Sequence, residues 1–234
     1  MKSLLQPFSH FKYRLTVFGV LAIASLFAVG LVRFRVSQTN SGHYGFMIWN
    51  LFLAWIPFII AYFVYSANFP RRWLYFVLPV SASLWLIFFP NAPYILTDFQ
   101  HLSNPSDVPV WFDVLLHVWF AIIGLFLGMI SLLLMQEIIH REFGRWYGWG
   151  FVLLVAVLTS IGVYMGRFLR WNSWDVFANL GDILRFTLYY LLNPTLRSLV
   201  FAGAFTPFFI FVYVLLYAFG HLLFEGRGSL INHD

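Results

Sequence analysis

Arg167 and Arg170, three residues apart, close an apolar run and stand beside Trp171 and Trp174, with Asn172, Ser173 and Asp175 completing the stretch Gly166–Asp175. Guanidinium groups beside aromatic faces hold a phosphate or carboxylate in a fixed orientation, because the planar fork donates parallel N–H bonds. The same residues also have a plainer reading, as anchors. Cations complement a helix C-terminus and sit at headgroup level, and indoles belong at the membrane interface. On that reading Asn172 caps the next helix, with Asp175 at its third position. A second polar stretch lies upstream: Pro90-Asn91-Ala92-Pro93-Tyr94, then Thr97, Asp98 and His101. Asp98, His101, Asp113 and His117 are groups suited to acid–base work or metal ligation, the last two being four apart on one helix face. A buried hydrogen-bonded pair that fixes helix packing is the alternative for Asp113 and His117. The spacing matches neither His-Glu-x-x-His nor His-x-His, so no metal site and no cofactor is assigned.

The chain that positions these groups has 234 residues, 61% hydrophobic and 10% charged, whereas soluble domains carry about 25% charged residues. So little charge cannot cover a water-soluble body. The expected fold is all-α: a polytopic membrane helical bundle in a single integral membrane domain, residues 1–234, of six transmembrane helices plus one interfacial amphipathic helix. A net charge of +5 suits membrane lipids with anionic headgroups. There is no arginine-rich arm, and nucleic acid is not an expected partner. The absence of cysteine removes disulfides and thiolate chemistry. Phosphate-binding glycine loops, nucleophile elbows and dinucleotide fingerprints do not occur, nor does an internal repeat of the kind many transporters carry.

Apolar runs predict spans over about 15–32, 46–67, 73–89, 110–135, 146–166 and 199–224. The first is longer than the core of a cleaved signal and reads as a retained helix. Arg33 and Arg35 close it, and residues 37–42 read as a polar loop. Pro90 and Pro93 predict a turn, because each disfavours helical geometry in the residue before it. A short helix restarting there places Tyr94, Thr97, Asp98 and His101 on one face. Residues 103–109 read as a loop. In the fourth span Asp113, His117, Ala121, Gly124, Gly128 and Ser131 form one stripe, and the Gly124/Gly128 pair directs it towards protein. Gly162 and Gly166 form a second small pair. Glu137, His140, Arg141, Glu142 and Arg145 read as a short charged connection. Over 174–192, Val176, Phe177, Leu180, Ile183, Leu184 and Leu188 line one side and Asp175, Asn179, Asp182 and Arg185 the other, the pattern of a helix lying on the membrane.

Six spans place both termini on one side and the third and fifth loops together on the other, and the Lys/Arg balance favours cytoplasmic termini. Loop five carries Arg167, Arg170, Arg185 and Arg197. The expectation is therefore that Arg167 and Arg170 pair with Asp98 and Asp113. Phe89-Pro90-Asn91-Ala92-Pro93-Tyr94, Thr97-Asp98, His101-Leu102, Trp111-Phe112-Asp113, and Gly166-Arg167 through Arg170-Trp171-Asn172-Ser173-Trp174-Asp175 resemble the family catalogued as domain of unknown function 1361. The resemblance implies a multi-pass protein of the bacterial cell membrane and supplies no catalytic residues.

Three classes of function stay open. The favoured one is a binding or accessory role for a lipid headgroup, an anion or a membrane-protein partner, using Asn91, Tyr94, Asp98, Asp113, Arg167, Arg170, Trp171, Asn172, Trp174 and Asp175. The second is an intramembrane enzyme acting on a lipid or envelope precursor, which requires Asp98, His101, Asp113 and His117 to converge. The third is a small transporter or channel, which requires a polar path to the opposite face, with Asn50, Ser81, Ser83 and the kink prolines as its candidates.

Overall fold

Backbone amides inside hydrocarbon must be satisfied within their own segment, so apolar runs of this length fold as helices. The computed structural model describes residues 6–39, 42–67, 71–102 and 108–231, and within them the regular elements are helical. They are α1 (Gln6–Thr39), α2 (Gly45–Ser66), α3 (Arg71–Phe88), α4 (Asn91–Tyr94), a 3₁₀ helix (Ile95–His101), α5 (Val110–Phe143), α6 (Arg145–Phe168), α7 (Asp175–Leu192) and α8 (Leu196–Ile231). Six segments are long and apolar enough to cross a membrane: Arg14–Thr39, Gly45–Ser66, Tyr75–His101, Val110–Phe143, Arg145–Phe168 and Leu196–Gly220. The protein is a multi-pass membrane helical bundle. α7 is not among the six.

Several boundaries differ from expectation, each for a local reason. α1 runs past Arg33 and Arg35 to Thr39, because the charge of Arg35 is matched inside the bundle. Residues 40–41 of the expected polar loop lie outside the described residues, as do residues 103–107 of the loop over 103–109. The charged connection after the fourth span is not a loop. α5 continues through it, with Arg141 Nε 2.7 Å from Glu137 Oε1 one turn back. Only Gly144, at φ 102°, separates α5 from α6, a backbone state that glycine reaches without steric cost. α7 forms as expected, with one non-helical residue at Asn179. Asn179, Asp182 and Arg185 are exposed and Ile183 is half-buried, whereas Leu188 is exposed. The side chains of Val176, Phe177, Leu180 and Leu184 lie outside the described ones.

α5 is the central helix. Its predicted stripe, Asp113, His117, Ala121, Gly124, Gly128 and Ser131, is buried throughout. The first half of α5 (Leu116, Phe120, Ile123, Leu127) packs with α1 and α2. The second half (Met129, Leu132, Met135, Ile138) packs with α3, α6 and α8. What fills the glycine notch is not another long helix but the proline segment. A Cβ on Gly124 would stand 2.7 Å from the Ala92 carbonyl oxygen, and one on Gly128 3.2 Å from Ala92 Cβ. On α6, a Cβ on Gly162 would meet Pro90 at 2.7 Å and one on Gly166 would meet Tyr94 at 3.2 Å. Two small-residue pairs on neighbouring helices thus seat one short segment.

Within that segment the backbone departs little from a helix. Pro90 has φ −58° and ψ −23°, and the interruption is confined to Phe89–Pro90. A proline at or before the first helical turn has no N–H to lose from the ladder. Three-residue bonds then carry the chain, from Ala92 N to Phe89 O and from Leu102 N to Phe99 O, each 3.1 Å. The expected turn is therefore a break in one helical path rather than a departure from helical geometry.

Candidate functional site

A 3₁₀ helix repeats every three residues, so Ile95, Asp98 and His101 stack in one row and Tyr94 and Thr97 in the row beside it. Arg167, in the last turn of α6, lies across both rows. Its Nη2 donates to Asp98 Oδ1 at 2.5 Å, its Nε to Thr97 Oγ1 at 2.8 Å and its Nη1 to His101 Nε2 at 3.2 Å. The guanidinium carbon sits 4.1 Å from the centre of the Tyr94 ring. One side chain therefore touches all four residues of the shared face. Arginine has no acceptor, so His101 accepts at Nε2 and carries its ring proton on Nδ1. The second oxygen of Asp98 accepts from Asn50 Nδ2 at 2.9 Å. With the Arg167 and Asp98 side chains 5% and 1% exposed, the pair is sealed and internally matched.

Asp113 is not part of this pair. Its partner is Arg35 of α1, which donates from Nε to Oδ1 at 2.6 Å and from Nη2 to Oδ2 at 2.9 Å. This corrects the expectation that Arg167 and Arg170 share both acids: a closer cation on α1 matches Asp113 two-pronged. Tyr44 covers the pair, donating its hydroxyl to Asp113 Oδ2 at 3.2 Å, with its ring 4.0 Å from the Arg35 guanidinium carbon. Burial, aided by the nearby Asp113 carboxylate, pushes the Tyr44 phenol up and keeps it a donor. The Tyr44 hydroxyl also lies 3.4 Å from the His101 carbonyl oxygen, linking the two networks. His117 Nδ1 bonds the Asp113 carbonyl at 2.7 Å and its ring packs against Tyr44. Asp98 and His101 thus gather on Arg167, whereas Asp113 and His117 lie beyond Tyr44. Among the described residues no three acids or histidines form a group able to hold a metal ion.

In front of the Arg167 network lies a cavity of about 310 Å³. Both sequence motifs line it, Asn91 and Tyr94 from one, Arg170, Trp171, Asn172 and Trp174 from the other. Asn91 ties the motifs together, donating from Nδ2 to Ser173 Oγ and to the Phe88 carbonyl, both at 2.8 Å. Trp49 of α2 faces Trp174, ring centres 5.9 Å apart. Among the described residues Arg170 is the one charged residue lining the cavity, and it is exposed, with no hydrogen bond or ion pair to any of them. Its backbone is left-handed, φ 59°, where a residue with a side chain costs about 1–2 kcal/mol. Glycine usually takes this place at a helix end. The twist lets the Trp171 N–H return to the Met165 carbonyl at 3.4 Å, and the tryptophan stretch folds back over the cavity. Asn172 does not cap α7. Instead Asp175 Oδ2 accepts from the Asn172 backbone N–H at 2.7 Å.

The chain belongs to the family described as protein of unknown function (DUF1361). That family's model matches residues 49–219, so every residue lining the cavity falls inside the match and Arg35 and Tyr44 fall outside it. No curated protein and no solved structure matches the chain.

Sequence reading left Arg35, Tyr44, Trp49 and Ser173 out of the candidate site, and gave Asn50 a different role. For Arg35 a signal existed. Leu21, Ser25, Ala28, Val32 and Arg35 are all buried and recur at steps of four and three, the period of one helix face. Arg33, off that stripe, is exposed. The three polar residues named for a transporter path are engaged elsewhere or face outwards. Asn50 is committed to Asp98, the Ser81 hydroxyl bonds the Val77 carbonyl of its own helix at 2.7 Å, and Ser83 faces outwards.

Proposed function

We propose that this protein is a binding protein of the bacterial cell membrane, with cytoplasmic termini, whose cavity holds an anionic headgroup such as a phosphate or carboxylate. The observation that carries the reading is Arg170: an uncompensated cation, walled by Trp171 and Trp174, held in a strained backbone state that glycine would satisfy more easily. Strain kept at such a position calls for a use of the side chain. A cavity of about 310 Å³ falls in the range of ligand sites, roughly 300–1,000 Å³. Asn50 and Tyr94 connect its wall to the Asp98–Arg167 pair, which stiffens the back of the site.

Acid–base catalysis has less support. Asp98 and Asp113 are each bonded to a guanidinium, and neither lines the cavity. The test is titration of the protein in a neutral detergent with inorganic phosphate and with glycerol phosphate, followed by tryptophan fluorescence. Arg170→Gly relieves the backbone and keeps the fold, so a lost response reports the guanidinium itself. An unchanged titration in Arg170→Gly overturns the reading. Orientation is checked separately with reporter fusions after Asp234 and within residues 103–109, expected on opposite sides with the former cytoplasmic.

A further inference from the structure

A second hollow lies against the first. Between α6 and α8, Ser160, Ile161, Tyr164, Leu199 and Ala202 help to line an apolar groove of about 190 Å³. Met165 lines both this groove and the polar cavity, so it forms the ridge between them. The groove reaches from Met165 back to Val157 on α6, about 12 Å towards the bilayer interior at ~1.5 Å per residue. α7 crosses at the ridge: Ile183 lines the cavity, and one turn later Thr187 Oγ1, which donates to the Ile183 carbonyl at 2.7 Å, lies 3.5 Å from Met165 sulfur. Methionine is the side chain best able to yield there, being unbranched and adaptable. Among the described residues lining the groove, one fully buried polar atom is unsatisfied. The Ser160 hydroxyl is buried, 1% exposed as a residue, and has no hydrogen-bond partner. A buried hydroxyl left without a partner is costly, and an acceptor delivered by a ligand removes that cost.

We infer that the cavity and the groove form one bipartite site for an acyl glycerophosphate: the phosphate at Arg170, the acyl chain past Met165 into the α6–α8 groove, and the ester carbonyl accepting from Ser160. This rests on the headgroup reading above and adds to it the ligand's hydrocarbon half and where that half lies. The occupant follows from continuity. A chain in the groove ends at Met165, where Arg170 is the one charged residue among the described lining, so the amphiphile that fills both is an anion with one apolar tail at this place. Ser160 selects an ester-bearing tail over a plain hydrocarbon, because only the former brings an acceptor.

The experiment compares oleoyl glycerophosphate with glycerol phosphate on the purified full chain in neutral nanodiscs. Ala202→Trp fills the groove from a half-buried position on α8. It is expected to weaken oleoyl glycerophosphate at least tenfold and to leave glycerol phosphate unchanged, whereas Arg170→Ala weakens both. If Arg170→Ala weakens both ligands and Ala202→Trp weakens neither, the tail lies elsewhere and the bipartite site is overturned while the headgroup reading stands. If Arg170→Ala weakens neither, the headgroup reading itself fails. A measurement on the unmodified protein guards against a misfolded variant. Oleoyl glycerophosphate with a diazirine on the chain carbons next to the ester should cross-link within 157–164 and 198–206. Labelling spread evenly over the exposed faces of α1 and α2 would overturn the assignment.

Discussion

Arg35–Asp113 and Arg167–Asp98 are built from the same two residue types, are both sunk to within a few per cent of full burial, and are put to different ends. The first is bidentate, covered by the Tyr44 ring and hydroxyl, and forms no part of the cavity wall. It lets a charged residue end up inside α1 and another inside α5, and so clamps the two helices. The second is single-pronged. Arg167 spends its other donors on Thr97 and His101, and Asp98 spends its other oxygen on Asn50, which lines the cavity. A buried ion pair is weak evidence for stability, because desolvation offsets much of the attraction. The geometry separates the two cases: a saturated pair holds helices together, and a pair with its valences fanned out to a wall organises a surface.

The largest expected effect is on the clamp. Removing one partner, by Arg35→Ala or Asp113→Ala, strands the other charge and should destabilise by about 3–5 kcal/mol, read as thermal unfolding in detergent. Replacing both, Arg35→Met with Asp113→Leu, should recover most of that loss and leave phosphate titration intact. A double replacement that abolishes phosphate binding would mean that the clamp is also part of the site.

Next comes coupling. In a double-mutant cycle Arg167→Ala and Asp98→Ala should be coupled by about 0.5–3 kcal/mol, whereas Arg167→Ala and Asp113→Ala should add within about 0.5 kcal/mol. Coupling of Arg167 to Asp113 as large as its coupling to Asp98 would erase the distinction between the pairs.

The seat of the Arg167 pair gives a third test. Gly162→Ala places a methyl 2.7 Å from Pro90 and should cost about 1–3 kcal/mol by overpacking. Gly150→Ala on the same helix meets nothing within 4 Å and should be neutral or slightly stabilising. Equal stability of the two variants would show that the proline segment is not packed as described.

Smallest in stability, and opposite in sign, is Arg170→Gly. Relief of the left-handed backbone should stabilise by up to about 1 kcal/mol, measured by the same unfolding assay. A destabilised glycine variant would show that the arginine side chain, rather than binding, is what holds the helix end.

Part of this was readable in advance. Period and apolarity are local properties, so six spans, the helix α7 and the buried stripe of α5 could be read from residue types alone. The two polar motifs could be matched to each other because topology places the third and fifth loops on one face. The partner of Asp113 could not be found that way. Any cation brought to that face serves equally in sequence, and choosing Arg35 over Arg170 depends on which helix packs against the first turns of α5. Nor could the left-handed backbone of Arg170 be foreseen, since arginine gives no signal for a state that glycine normally marks.

What the sequence determined by itself is the set of helices and the short list of polar groups that gather at one end of the bundle, because hydrocarbon forces every apolar segment into its own hydrogen-bonded helix. What only the tertiary structure decided is which charge meets which. Two pairs of glycines, on α5 and α6, admit one proline segment to within contact distance. That close approach brings Asp98 under Arg167 and leaves Arg170 facing the cavity. Contact of this kind is set by the fit of side chains from distant parts of the chain, and no local pattern encodes it.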